Sequence, residues 1–317
     1  MKNHPVKDLR VALLAVLVGL LVSANAAASK LVPWATPYYT YTVQKDIVYG
    51  QGVVNDGAGA ANLKLDLYIP DVPVSEGATA TRHALMLMIH GGGFQSGSKT
   101  DSNLVASAKE YVQRGWLVAS INYRLESSNP VPSSRVQALM DYFGSASSIP
   151  QVRAMIAATD DTLTALDFLQ ARGDVIPAWT ALWGHSAGAV TALTTGYSLD
   201  DQGIVRPPVA AVLSLAGGIY TAIGTPFDDP TGSDPVLMVI HGTNDATVPF
   251  SSATQMQDWA IAAGLPLDFQ PVVGGGHSLN VLNTDASTGV TLFQRSVDFL
   301  HETVFAGLQQ GPQPPGC

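Results

Sequence analysis

The sequence predicts an α/β chain, with a mostly parallel central sheet flanked by helices on both faces and a small lid or none. Three observations carry that expectation. Continuous apolar runs at 84–89, 116–122, 209–215 and 235–240 have the length and composition of strands covered on both faces. Segments with helical apolar spacing alternate with them, as at Val152, Ile156, Leu163, Leu166 and Leu169. Residues able to do chemistry gather just past the ends of the runs, where open parallel sheets place functional groups.

The first 26 residues stand apart. Lys2, Lys7 and Arg10 precede an apolar run, Val11 to Val22, of about twelve residues, well short of the ~20 needed to span a bilayer. Ala24-Asn25-Ala26 and Ala26-Ala27-Ala28 both offer small-x-small cleavage sites. A signal peptide over 1–26, cut after residue 26 or as late as 28, is expected, and with it a secreted or periplasmic protein that leaves the membrane after cleavage. Cleavage removes three basic residues and Asp8, so the formal charge of -9 becomes -11. Such a surface disfavours nucleic acid as a partner. The only cysteine, Cys317, excludes an intrachain disulfide and a cysteine-based metal site. No motif calls for a metal or cofactor. The expected layout is an N-terminal segment over 27–44, one α/β domain over 45–305, and a Gln/Gly/Pro tail over 306–317.

Taken in order, 45–49 and 63–69 read as an antiparallel edge pair turned by Asn55-Asp56-Gly57. The second strand alternates Leu63, Leu65, Leu67 and Ile69 with Lys64, Asp66 and Tyr68. Residues 103–114 read as a helix stopped by Gly115, and 136–143 as a short amphipathic helix. Helix 151–172 carries Asp160 and Asp161, expected to be solvated and non-catalytic. Residues 174–179 read as the loop into a strand at 180–183, and the sixteen-residue connection 219–234 leaves room only for a small lid. A helix at 251–264, a strand at 267–273 and a final helix carrying Phe293, Val297, Leu300 and Val304 complete the domain.

Four stretches carry the candidate chemistry. Gly184-His185-Ser186-Ala187-Gly188 lies between an apolar run and an Ala/Gly/Thr-rich helical run. A serine on such a strand-to-helix turn faces outward, with the positive end of the helix behind it. His90-Gly91-Gly92-Gly93-Phe94 ends the 84–89 strand and leaves unshielded N–H groups able to approach a substrate oxygen. It lacks the G-K-[ST] ending of a phosphate-cradling loop. Asp245 follows the 235–240 strand; Asp228, Asp229 and Asp234 compete with it, and an Asn-Asp turn is the bland alternative. His277 follows Gly274-Gly275-Gly276, a position unsuited to core packing, with His83, His90, His185, His241 and His301 as rivals.

His90-Gly-Gly-Gly-Phe94, Asn122-Tyr-Arg-Leu125, Gly184-His-Ser-Ala-Gly188 and His241-Gly-x-x-Asp245-x-x-Val-Pro249 together resemble the α/β-hydrolase superfamily. Within it, the chain is similar to the carboxylesterase/lipase branch with an HGGG-type oxyanion loop. The Tyr-Arg-Leu triplet runs on into Glu126-Ser127-Ser128, a departure from the Ala-Pro-Glu of hormone-sensitive-lipase relatives. The resemblance implies a Ser186, Asp245, His277 triad and an oxyanion hole of Gly92, Gly93 and Ala187 N–H groups. A pocket is expected near Phe94 and His185; Tyr142 and Phe143, on the 136–143 helix, read equally as surface packing or as a further wall of that pocket. The implied function is a secreted serine esterase acting on small-molecule or polymeric esters without a cofactor. Two other readings stay open: an amidase or peptidase of the prolyl-oligopeptidase type, and a non-catalytic binding protein on the same fold.

Overall fold

The computed structural model describes residues 29–73, 80–220, 226–227, 234–284 and 289–309. The expected signal peptide, Asp228, Asp229, most of the 219–234 connection and Cys317 lie outside the described residues.

Nine strands form one sheet: β1 (Ser29–Leu31), β2 (Tyr41–Val54), β3 (Gly59–Pro70), β4 (Thr81–Ile89), β5 (Leu117–Ile121), β6 (Val175–His185), β7 (Ala211–Leu215), β8 (Val236–Gly242) and β9 (Leu267–Val272). The main order is β2-β3-β5-β4-β6-β7-β8-β9, with β1 paired to the start of β4. Only β2–β3 and β3–β5 are antiparallel, at one edge. The described residues hold six α-helices: α1 (Ser102–Val112), α2 (Gln137–Phe143), α3 (Pro150–Gln170), α4 (Ala187–Tyr197), α5 (Phe250–Ala263) and α6 (Leu292–Thr303).

The period of two along a strand separates the core into two layers. In β4, Leu85, Leu87 and Ile89 enter one layer with Leu166 of α3 and Leu193 of α4. Ala84, Met86 and Met88 enter the other with Ala108 of α1 and Val297 of α6. A strand wrapped on both faces has no polar side to present, which explains its uninterrupted apolar sequence.

Three expectations need correction. The boundary at residue 45 falls inside β2, and β1 continues the sheet from Ser29. The short segment between them docks on the end of α1, where Trp34 N donates to Arg114 O at 2.8 Å and Tyr38 N to Gln113 O at 2.7 Å. Residues 175–179 belong to β6 and are not a loop. A register shift between His83 and Leu85 skips the partner strand from Val175 to Thr180, so only the regular half of β6 had a strand pattern.

Asp160 and Asp161 are buried, not solvated. Arg124 Nε donates to both oxygens of Asp161 (2.9 and 3.0 Å), and Nη2 reaches Asp160 Oδ2 at 3.1 Å. Ser133 N and Oγ satisfy the remaining side of Asp160. This ion cluster ties α3 to the segment that follows β5.

Candidate active site

The site is built at the carboxyl ends of β4, β6, β8 and β9, where each strand releases a loop. At the end of β6 the chain reverses into α4, and Ser186 takes φ 54°, ψ -120° to make the turn. A non-glycine residue there is strained, and the surroundings hold it: Ser186 N donates to Leu215 O at 2.8 Å and Ser186 O accepts from Val190 N at 3.0 Å. The helix approaches β4 so closely that a Cβ on Gly188 would lie 2.1 Å from Ile89 O. Only glycine permits that contact.

The loops from β8 and β9 are sewn together before their side chains meet. Thr243 N donates to Val272 O (3.0 Å), Asn244 N to Gly275 O (2.9 Å), and Gly274 N to Thr243 Oγ1 (2.9 Å). His277 then lies between two partners, with Nε2 2.8 Å from Ser186 Oγ and Nδ1 2.8 Å from Asp245 Oδ2. Asp245 Oδ1 accepts from Thr247 N (2.8 Å) and Val248 N (2.9 Å). Burial pushes the Asp245 carboxyl up, but the His277 hydrogen bond and the two backbone donors outweigh it and hold the group below the ordinary carboxylate range. An Nδ1–H···carboxylate bond leaves the imidazole Nε2 lone pair aimed at the serine hydroxyl. That arrangement can withdraw a proton from Ser186.

The glycine loop lies against the elbow, since a Cβ on Gly91 would lie 3.0 Å from His185 O and 3.2 Å from Ser186 Cβ. Gly92 (φ 102°) and Gly93 (φ 61°) turn the chain past the serine. Tyr123 fixes the loop from beneath. Its hydroxyl donates to His90 O (3.1 Å) and Gly91 O (3.2 Å), and its ring stacks on His90 at 4.2 Å. Ala187 opens α4 directly after the serine, so its N–H has no intrahelical acceptor.

Comparison with known proteins agrees with this architecture. A BD-FAE family model matches residues 65–143, from β3 through the glycine loop to the end of α2. No curated protein matches the chain. Among solved structures, the propionate-bound esterase Est2 of Thermogutta terrifontis is 20% identical, covers 87% of this chain and 97% of its own, and superposes with a TM-score of 0.58. A truncated carbohydrate esterase from gut microbiota is 17% identical over 87% of this chain and all of its own, with a TM-score of 0.56. The α/β hydrolase MGS-M1, from a Medee basin deep-sea metagenome library, is 22% identical over 83% and 100%, with a TM-score of 0.55. The chain has the α/β-hydrolase fold.

On this hydrolase fold, three of the rival residues fall away from the serine. Asp234 lies at the amino end of β8, the far end from the site. His83 sits at the start of β4 and bonds Gly115 O, and His301 rides α6. A cavity of about 250 Å³ opens beside the elbow, lined by Gly91, Gly92, Trp183, His185, Leu215 and Leu279 among others. Of the four expected pocket residues His185 lines this cavity, whose lining does not include Ser186 or His277. Phe94 turns into the core beside Tyr123, and Tyr142 and Phe143 pack edge to face on α2, with Phe143 against the core. The His185 ring is held by an Nε2–H···O bond to His277 O (3.2 Å), and burial lowers its pKa, which keeps it neutral. Among the described residues, no three His, Cys, Asp or Glu side chains are grouped to hold a metal, and no helix is long and apolar enough to cross a membrane.

Two supports of the site were not anticipated from sequence. Tyr123 was noted only as part of a motif, and its position directly after a buried strand was the available signal. His241, one of the rivals to His277, lies instead on the far side of the acid, 3.3 Å from Asp245 Oδ2.

Proposed function

We propose that this protein is an exported serine esterase that hydrolyses carboxylic esters through an acyl-enzyme. The observation that carries the reading is the unbroken line Ser186 Oγ–His277–Asp245, with both links at 2.8 Å. The unprotected glycine loop beside it supports the same reading, as do esterases among the structural neighbours. The N-terminal basic and apolar stretch supports export.

In this mechanism Ser186 Oγ attacks the ester carbonyl carbon as His277 Nε2 takes its proton. The carbonyl π electrons move to oxygen, and the N–H groups of Gly92, Gly93 and Ala187 bind that oxyanion. Collapse breaks the bond to the alcohol oxygen, which leaves with the proton from His277. Water then repeats the sequence on the acyl-enzyme and releases the acid. Asp245 keeps the proton of neutral His277 on Nδ1 and stabilises the imidazolium formed in each half-reaction. The substrate is a small-molecule or polymeric ester, and the chemistry draws on no cofactor.

The test is hydrolysis of p-nitrophenyl acetate, butyrate and palmitate by the mature protein beside Ser186→Ala. The expected loss in the variant is roughly a millionfold in kcat, the scale known for a serine-hydrolase nucleophile. The chain-length profile then separates a short-chain esterase from a lipase. A folded wild type inert on all three esters, or an S186A variant of equal activity, overturns the proposal.

A further inference from the structure

The acid of the triad has a second imidazole on it. His241, at the end of β8, is fully buried, and its Nε2 lies 3.3 Å from Asp245 Oδ2, the same oxygen that His277 Nδ1 approaches to 2.8 Å. That nitrogen also lies 2.9 Å from Val248 O. A carbonyl can only accept, so Nε2 carries the hydrogen and donates it to Val248 O, with Asp245 Oδ2 beside it. The other ring nitrogen, Nδ1, is buried with no hydrogen-bond partner among the described residues. A proton there would be an unsatisfied buried donor, which leaves the neutral Nε2–H tautomer as the one the surroundings accommodate. The edge of the ring meets Phe250, the first residue of α5, at 6.0 Å and 66°.

Asp245 therefore accepts from three N–H groups, Thr247 and Val248 on Oδ1 and His277 on Oδ2, while the His241 Nε2–H edge lies 3.3 Å from Oδ2. The backbone pair holds the carboxylate to its own loop. Asp245 N donates to Gly242 O at the end of β8 (3.2 Å), and the His241 side chain adds a second tie from β8 to the loop through Val248 O, with its Nε2 beside the oxygen that His277 uses.

Resting on the esterase reading above, we propose that His241 is a positioning residue of the triad. Its Nε2–H, bonded to Val248 O and 3.3 Å from Asp245 Oδ2, holds the acid loop so that Oδ2 faces His277, and its positive edge limits how strongly that oxygen pulls on the imidazole. A donor on a carboxylate oxygen draws electron density away from the hydrogen bond to a second donor. Removing it strengthens the pull of Asp245 on His277 and favours the imidazolium. It also removes the side-chain tie between β8 and the 245–248 loop. The other titratable groups facing the pair are His185, whose ring lies 5.5 Å from that of His277, and Asp101, which acts on His185 from the start of α1. A substitution at His241 touches neither.

Two variants and one measurement on the wild type test this. His241→Met removes the donor at similar bulk, and His241→Gln keeps an N–H near the Nε2 position. With p-nitrophenyl acetate, H241M is expected to lose roughly tenfold in kcat with KM within about twofold. The acid limb of its kcat/KM profile moves up by roughly half a pH unit. H241Q regains most of kcat, and its acid limb returns to the wild-type position. Folded H241M and H241Q with the same pH profile as wild type, or H241Q as impaired as H241M, overturn the assignment and leave His241 as packing. If H241M does not fold, the ¹⁵N chemical shifts of the wild-type imidazoles decide, with the Nε2–H tautomer of His241 expected. An Nδ1–H tautomer removes the donor and refutes the proposal. These outcomes are separate from the S186A test, because an Nδ1–H result leaves ester hydrolysis standing.

Discussion

Replacing Arg124 by methionine probes the buried charge cluster that it forms with Asp160 and Asp161. The side chain makes three contacts to Asp161 within 3.0 Å, one to Asp160 at 3.1 Å, and two through Nη1 to Val53 O (3.0 Å) and Val131 O (2.7 Å). Methionine fills comparable space against Gly52 but leaves two buried carboxylates without their cation. Breaking a buried pair from one side costs about 3–5 kcal/mol, a large part of the roughly 5–15 kcal/mol that holds a domain folded. Urea unfolding at pH 7.5 is expected to show that loss with a near-normal m-value.

The pH dependence gives a second check on the same variant. Burial pushes the Asp161 carboxyl up to about 6, against the opposing pull of Arg124. Its folded value lies above the unfolded value of about 3.9. The folded protein therefore binds the proton more readily, and the stability from this group is present below about pH 4 and lost as pH rises to about 6. Without Arg124 the folded value moves higher still, so the deficit of R124M narrows as pH falls from 7.5 to 5. A loss under about 1 kcal/mol, or a deficit that does not change with pH, refutes the reasoning.

Other perturbations give equally definite expectations. Tyr123→Phe frees the His90 and Gly91 carbonyls and is expected to lower kcat roughly tenfold, part of the ~3 kcal/mol an oxyanion donor supplies, with KM nearly unchanged in steady-state assays. Ser186→Gly relieves the positive φ and should be about 1 kcal/mol more stable than Ser186→Ala in thermal melts, while both are inactive. Asp245→Asn is expected to lose roughly 10³–10⁴ in kcat through the wrong tautomer of His277. Because folding depresses the Asp245 pKa, its charge contributes stability above about pH 4 that is lost as pH falls through the folded value, so the stability deficit of D245N shrinks in melts near pH 3. Gly188→Ala places a methyl 2.1 Å from Ile89 O, and the variant is expected in the insoluble fraction or with a melting temperature lowered by many degrees.

Much of this architecture could be read from the chain because the relevant physics is local. Doubly covered strands must be apolar throughout, and elbow and loop glycines are required where backbones nearly touch, so 84–89 and Gly184 to Gly188 announce themselves. What escaped depends on distant partners. Asp160 lies on the same helical face as Ile156 and Leu163, which was the available sign of burial, but its counter-charge comes from Arg124, far away in sequence. Residues 175–179 carry the irregular half of a strand whose register only β4 reveals. Tyr142 and Phe143 have the composition of a pocket wall, and nothing local says that α2 turns Phe143 to the core. His241 is only one rival among five histidines in the sequence, because its contacts to Val248 O and Asp245 come from a turn and leave no periodicity behind.

The most direct test of the central claim is chemical labelling of the nucleophile. Paraoxon treatment of this protein, followed by peptide mass spectrometry, is predicted to place one diethylphosphoryl group on Ser186 and to abolish ester hydrolysis in proportion. Labelling at another residue, or full labelling of Ser186 with activity intact, would contradict the account.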